Sequence, residues 1–359
     1  MGEVKQGSLS IESKNIFSIL KRYLYSEQDI VFRELVSNAL DAVEKRRTMD
    51  PSRGGRVDVR LDMDMGRLII QDDGIGMTRD EVDRYINQIA FSGAEDFIKK
   101  NAEGADQIIG HFGVGFYSAF MLADRVIIET KHMEGKSPAV RWECDGEMHF
   151  IMGPGAKTET GTEVILHLPK DSPYLQAPQL VHDALCKYFQ FAKTPICFHA
   201  PGFDGMAVNP AKPLWQQAKE DIDSSAMESF YQAFFQDSAP PLSWFQFSSV
   251  DLGLRGILYF RNTKNGADEL DGTVKVYCRG VYVGENIPGL IPKFVNLQNG
   301  IIECDALPLV VSRGDLRNEK GQAQSEVVAL VHECLVQEVA IELNDMFTKR
   351  RAEYERLWP

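Results

Sequence analysis

A chain of 359 residues exceeds what one hydrophobic core usually serves, so it is expected to divide into two domains. With 44% hydrophobic and 25% charged residues its composition is ordinarily globular, which excludes wholesale disorder and collagen-like or coiled-coil architecture. The net charge of −13 opposes nonspecific binding to nucleic acid or an anionic membrane, because the averaged field repels phosphate.

The N-terminus, Met1-Gly2-Glu3-Val4-Lys5-Gln6, lacks the basic-then-apolar order of a signal peptide, so the cytosol is the expected compartment. Six cysteines, Cys144, Cys186, Cys197, Cys278, Cys304 and Cys334, show no C-x-x-C spacing and read as reduced, mostly buried thiols. From Glu12 to Leu24 the apolar positions Ile16, Phe17, Ile19, Leu20 and Leu24 predict a helix. Ser26, with Asp29 three residues on, reads as the N-cap of a second helix that holds through Arg47 and ends at Pro51 and Gly54-Gly55. Val57, Val59, Leu61 and Met63 then alternate with polar residues, and Met65-Gly66 turns the chain into Leu68-Ile69-Ile70. After a glycine-rich stretch, strands are predicted over Val126–Thr130, Ala139–Cys144, Met148–Ile151 and Thr162–Leu168, with a helix near Leu180–Ala192. Helices followed by a meander predict an α+β fold, a two-layer α/β sandwich with helices on one face of a mainly antiparallel sheet. That first domain is expected over 1–200. A Pro-, Gly- and Ala-rich linker follows over 201–212, then a second α/β domain over 213–359. The second domain carries predicted strands near Ser243–Phe247, Gly256–Arg261 and Val274–Val283. A last helix from Gln324 to about Leu357 puts Val327, Val328, Val331, Leu335, Val339, Leu343 and Phe347 on one face.

Three patterns carry chemistry. In Phe32-Arg33-Glu34-Leu35-Val36-Ser37-Asn38-Ala39-Leu40-Asp41-Ala42, the spacings of four and three align Glu34, Asn38 and Asp41 on one helix face, either a solvated face or a site. Asp72-Asp73-Gly74-Ile75-Gly76-Met77 leaves a carboxylate at a strand end, either in an ordinary turn or as an acceptor for an exocyclic adenine amine. Gly110-His111-Phe112-Gly113-Val114-Gly115-Phe116 precedes the helical Tyr117–Leu122, and its glycines allow successive N–H groups to converge on an anion. Gly161-Thr162 opens the last strand of the meander.

In this order the motifs resemble the superfamily of ATPases shared by gyrase, the ninety-kilodalton heat-shock chaperones, histidine kinases and mismatch-repair MutL. Among these the chaperones, in their bacterial form, are the best match. Phe32–Ala39 is similar to the chaperone helix and Ile109–Ser118 to its lid hinge. Lys212-Pro213-Leu214-Trp215 and Leu307–Arg313 resemble its middle domain, so the likeness covers nearly the whole chain. The resemblance implies the two-layer fold of that superfamily, with ATP and Mg²⁺ as cofactors and ATP hydrolysis driving lid closure and domain docking on client proteins. It implies Glu34 as the general base, Asn38 as the Mg²⁺ ligand and Asp72 as the adenine acceptor. Gly76 and Thr162 would assist through ordered water, with Asp41 and Met77 also lining the nucleotide. The backbone of Gly113, Val114, Gly115 and Phe116 would cradle the phosphates, and Arg313 would reach the γ-phosphate.

This chain departs from the family pattern in several places. Ile89-Ala90-Phe91-Ser92-Gly93 has Phe91 where the family's lid carries a lysine, His111 stands for a glutamine, and Arg317 replaces a glutamine after the arginine. The family continues into a dimerisation domain, through which it forms homodimers, and this chain stops at Pro359. Expected partners are client proteins and co-chaperones, with neither nucleic acid nor membrane. Two other readings share the motifs: a nucleotide-gated interaction module with little turnover, and a DNA-coupled ATPase, which the acidic balance opposes. Gly135-Lys136-Ser137 lacks the leading glycine of a Walker A loop, and His332-Glu333 lacks a histidine at 336. Trp215, Trp244, Phe245 and Phe247 are read as core rather than as a client surface.

Overall fold

The computed structural model describes residues 28–87, 115–145, 149–210, 212–217, 221–262, 272–287, 289–292, 298–307 and 323–357. The chain divides into two units, one of residues 1–185 and 194–207, the other of 186–193 and 208–359.

In the first unit, α1 (Ile30–Met49) begins after Asp29, whose side chain makes no capping bond. The expected cap at Ser26 and the helix before it lie outside the described residues. Strands β1 (Val57–Asp62) and β2 (Arg67–Asp72) form the predicted hairpin, with Leu61 opposite Leu68 and Val57 opposite Asp72. The short helix α2 (Arg79–Tyr85) starts on a capping box between Thr78 and Glu81, and a 3-10 helix spans Gly115–Met121. The meander follows as β3 (Arg125–Lys131), β4 (Val140–Cys144), β5 (Phe150–Pro154) and β6 (Gly161–His167). Strand β7 (Ile196–Ala200) adds in parallel to β1, and β8 (Phe203–Ala207) adds antiparallel to β7. The stretch read as a linker therefore contributes a strand, reached through a turn at Gly202 whose φ of 85° suits only glycine well.

The resulting eight-stranded sheet has the order β5-β4-β3-β6-β2-β1-β7-β8, antiparallel apart from the β1–β7 pair. Alternation sets its faces. Val57, Val59 and Leu61, Leu68 and Ile70, Val126 and Ile128, and Leu166 point to one side and are buried. Val31, Phe32, Leu35, Val36, Ala39 and Val43 of α1 are buried as well, and α1 packs against β2 and the 3-10 helix. This is the expected α+β layering.

The second unit holds a five-stranded sheet in the order β12-β11-β13-β10-β9. Its strands are β9 (Ser243–Ser249), β10 (Leu254–Phe260), β11 (Val274–Cys278), β12 (Val281–Glu285) and β13 (Asn299–Cys304). Residues 274–283, read as one strand, are a hairpin that turns at Arg279 and Gly280, both at positive φ. The long helix Ala323–Lys349 buries Val331, Leu335, Val339 and Met346, while Phe347 is exposed, so the buried stripe passes through the neighbouring residue. Trp215, Phe245 and Phe247 are buried and Trp244 is partly so, as core residues.

Glu303 on β13 is fully buried and anchors the Lys212-Pro213-Leu214-Trp215 turn. Its Oε2 accepts from Trp215 Nε1 (3.2 Å), Gln216 Nε2 (2.8 Å) and Arg255 Nε (2.9 Å). Burial works against ionisation, yet the Arg255 guanidinium and the neutral donors outweigh it and hold the carboxyl below its ordinary range. Glu303→Ala leaves Trp215 Nε1 and Gln216 Nε2 without their acceptor, while Arg255 keeps its pair with Asp305 (3.2 Å), and a buried donor left unpaired costs about 1–3 kcal/mol. Denaturant unfolding is expected to show that loss in the second unit.

Among the described residues no helix is long and apolar enough to cross a membrane, and no group of three or more His, Cys, Asp or Glu could hold a metal. All six cysteines are free: Cys144, Cys278 and Cys304 are buried, and Cys186, Cys197 and Cys334 are partly so.

Candidate nucleotide site

Helix α1, the 3-10 helix and one end of β2, β3 and β6 of the first unit meet at the candidate site. Along α1 the polar positions 34, 38 and 41 share a face because their spacing matches the helical turn. Glu34 is one-fifth exposed, Asn38 is exposed and Asp41 is buried. Oε1 of Glu34 accepts from Arg33 Nη2 (2.8 Å) and Nε (3.1 Å), so the neighbouring guanidinium grips one carboxylate oxygen. Lys45, one further turn along the same face, was not picked out from the sequence. Burial pulls its pKa down, against the opposing pull of Asp41 and of Glu81 on α2.

Asp72 closes β2 and is buried. Gly74 N (2.8 Å) and Thr162 N (3.2 Å) both donate to its Oδ1, and no described residue donates to Oδ2. Removal from water raises its pKa to about 7, against the lowering effect of the two N–H donors and of Lys157. The glycines after it are sterically required. A Cβ on Gly74 would lie 2.4 Å from the Ala42 backbone of α1, and one on Gly76, at φ 69°, would lie 2.0 Å from Lys131 O. The loop is tied to α1 by Ile75 N donating to Ala42 O (2.9 Å), and to β3 by Met77 N donating to Thr130 Oγ1 (2.9 Å). Thr130 Oγ1 in turn lies 3.0 Å from Thr162 Oγ1.

Asp72, Gly76, Met77 and Thr162 thus come together at one end of β2, β3 and β6, where register sets Asp72 opposite Thr162 and Thr162 opposite Thr130. Thr130 is a member the sequence reading missed; its only signal was its register partner. Phe116 is the second residue of the 3-10 helix, with its ring buried edge-on against Trp142 (5.6 Å), so only its backbone is available to a ligand. Gly115 stands beside Glu34: a Cβ placed on it would lie 2.5 Å from Oε2. Gly113, Val114, Phe91, His111, Arg313 and Arg317 lie outside the described residues.

The donor set suits an adenine nucleotide. Asp72 Oδ2 is an acceptor awaiting a donor in a site otherwise supplied with its hydrogen bonds, as an exocyclic amine requires. The exposed Asn38 amide oxygen is a hard ligand of the kind Mg²⁺ takes.

A family model described as histidine kinase-, DNA gyrase B- and HSP90-like ATPase matches residues 25–149, and one described as Hsp90 protein matches residues 202–359. The chain is similar to chaperone protein HtpG of Porphyromonas gingivalis, at 33% identity over 99% of this chain and 54% of that protein. It is 34% identical to HtpG of Bacteroides fragilis over the same shares. With the mitochondrial heat shock protein 75 kDa of Bos taurus it shares 32% identity over 87% of this chain and 46% of the relative. The chain spans about half the length of the curated relatives it matches.

Proposed function

The chain belongs to the heat shock protein 90 family, over its N-terminal ATPase region and part of its middle region, and on that premise we propose that it is an ATP-dependent molecular chaperone. ATP binding and hydrolysis in the first domain, about residues 1–200, would drive lid closure and docking of the second domain, from about 213, on unfolded or partly folded clients. The proposed compartment is the cytoplasm, and co-chaperones are proposed partners by family likeness alone. Relatives named chaperone protein HtpG and heat shock protein 75 kDa support this reading over a DNA-coupled ATPase.

The observation that carries the nucleotide reading is Asp72, buried, with both backbone donors on one oxygen and the other left for a ligand. In the proposed mechanism Asp72 accepts the adenine amine, while Thr162, Thr130 and the Gly76-Met77 backbone order water around the ring. Asp41 lines the same pocket. Asn38 would hold Mg²⁺, which when bound supplies charge neutralisation at the phosphates. The backbone from Gly113 to Phe116 would face the phosphates. Glu34 would orient the attacking water and take its proton. Phosphate release from ATP by the purified chain, run beside Glu34→Ala, tests the reading; an absence of turnover in both would favour a nucleotide-gated module.

Arg313 is proposed to offset charge on the transferring phosphoryl group, as such arginines do. Arg313→Ala is expected to slow turnover severalfold while calorimetry shows ADP affinity unchanged. A loss of ADP affinity instead would move this arginine from catalysis to binding.

A further inference from the structure

We infer that Gly115 is a positioning residue for Glu34: the missing side chain at the start of the 3-10 helix makes the room in which the carboxylate stands. This rests on the general-base reading of Glu34. Three observations carry it. A Cβ on Gly115 would come within 2.5 Å of Glu34 Oε2, and all three of its nearest neighbours belong to Glu34. The Gly115 backbone is not at positive φ, so any residue can adopt it and only the space is special. Gly115 is also fixed in place, because Ser118 Oγ donates to its carbonyl (2.7 Å) and the next residue, Phe116, packs edge-on against Trp142.

Glu34 is therefore held on two sides, with Arg33 gripping Oε1 and the Gly115 backbone bounding Oε2. A methyl group at 115 meets the far end of a flexible side chain, so the fold yields cheaply. Glu34 Cβ stays at an ordinary contact distance of 3.5 Å while the carboxylate swings away. The damage falls on the placement of one charged group. Misplacing a catalytic group by about 1 Å can cost on the order of a hundredfold in rate.

The test uses Gly115→Ala in the full chain, with Gly153→Ala as control, since a Cβ on Gly153 meets nothing within 4 Å. Gly115→Ala is expected to lower kcat about ten- to a hundredfold, leave ADP affinity and melting temperature unchanged, and cause no further loss in a Glu34→Ala background. It is also expected to shift the nitrogen resonance of the Arg33 guanidinium, which reports its carboxylate partner whether or not the chain turns over. The control should do neither. An unchanged kcat together with an unmoved Arg33 resonance overturns the inference. So does a tenfold loss of ATP affinity in both backgrounds, which would make Gly115 a phosphate-cradle residue only. Full turnover by Glu34→Ala alone is a separate outcome: it removes the general-base reading, while the Arg33 resonance still reports whether Gly115 holds the carboxylate.

Discussion

Glu34→Ala is expected to retain nucleotide and lose hydrolysis, with the rate falling about 10²–10⁴-fold, the usual contribution of a positioned general base. Binding should survive because Asp72, the group proposed to face adenine, closes β2, and its hydrogen bonds come from Gly74 and Thr162 rather than from α1. Stability should survive as well. The Arg33–Glu34 pair is partly open to water, with side chains 17% and 20% exposed, and such pairs contribute no more than about 1 kcal/mol. Freed of its partner, Arg33 turns to solvent. Single-turnover phosphate release measured beside ADP calorimetry separates the two effects. Equal loss of binding and turnover would make Glu34 a structural residue.

The first domain was legible where periodicity carries information. The alternation of Val57, Val59 and Leu61 announced β1, and the spacing of Glu34, Asn38 and Asp41 placed them on one face of α1. Asp72 was legible as well, because the glycines two and four residues on fit only a tight turn. The rest was hidden for physical reasons. Strand β13 sits in the middle of the second sheet with all six residues buried, so it shows no alternation to read. The Arg279-Gly280 turn leaves β11 and β12 looking like one strand, since both flanks are equally apolar. Thr130 is an unremarkable strand residue until register sets it opposite Thr162. The contact between Gly115 and Glu34 joins two motifs that the sequence presents separately. It is created by the packing of α1 on the 3-10 helix, and no local pattern announces it.

Asp72→Asn is expected to separate stability from function, making the chain more stable at alkaline pH while weakening ADP at least tenfold. The two effects arise from different oxygens. Oδ1 takes both backbone N–H groups, and an asparagine carbonyl can take the same two, so the local fold keeps its hydrogen bonds. The amide nitrogen then occupies the place of Oδ2 and presents a donor to the donating adenine amine. Two buried donors, the asparagine amide and the adenine amine, are then left unpaired at about 1–3 kcal/mol each, and each 1.4 kcal/mol is about tenfold in affinity. The stability effect follows from ionisation. Burial raises the folded Asp72 pKa to about 7, whereas an unfolded carboxyl releases its proton near pH 4. Between those values the folded state holds more protons, so wild-type stability falls as pH rises through the window and the cost is complete above about 7. Three pKa units correspond to at most ~4 kcal/mol. Asparagine does not ionise and lacks this slope. The variant should therefore unfold at higher denaturant than wild type at pH 8, and the gap should close towards pH 4. A nucleotide with a carbonyl in place of the adenine amine should lose less affinity than ADP, or gain, because the new amide donor finds an acceptor there. Unchanged ADP affinity in a folded Asp72→Asn variant would remove Asp72 from adenine recognition, and a pH-independent gap in stability would show that its carboxyl is ionised in the folded chain throughout that range.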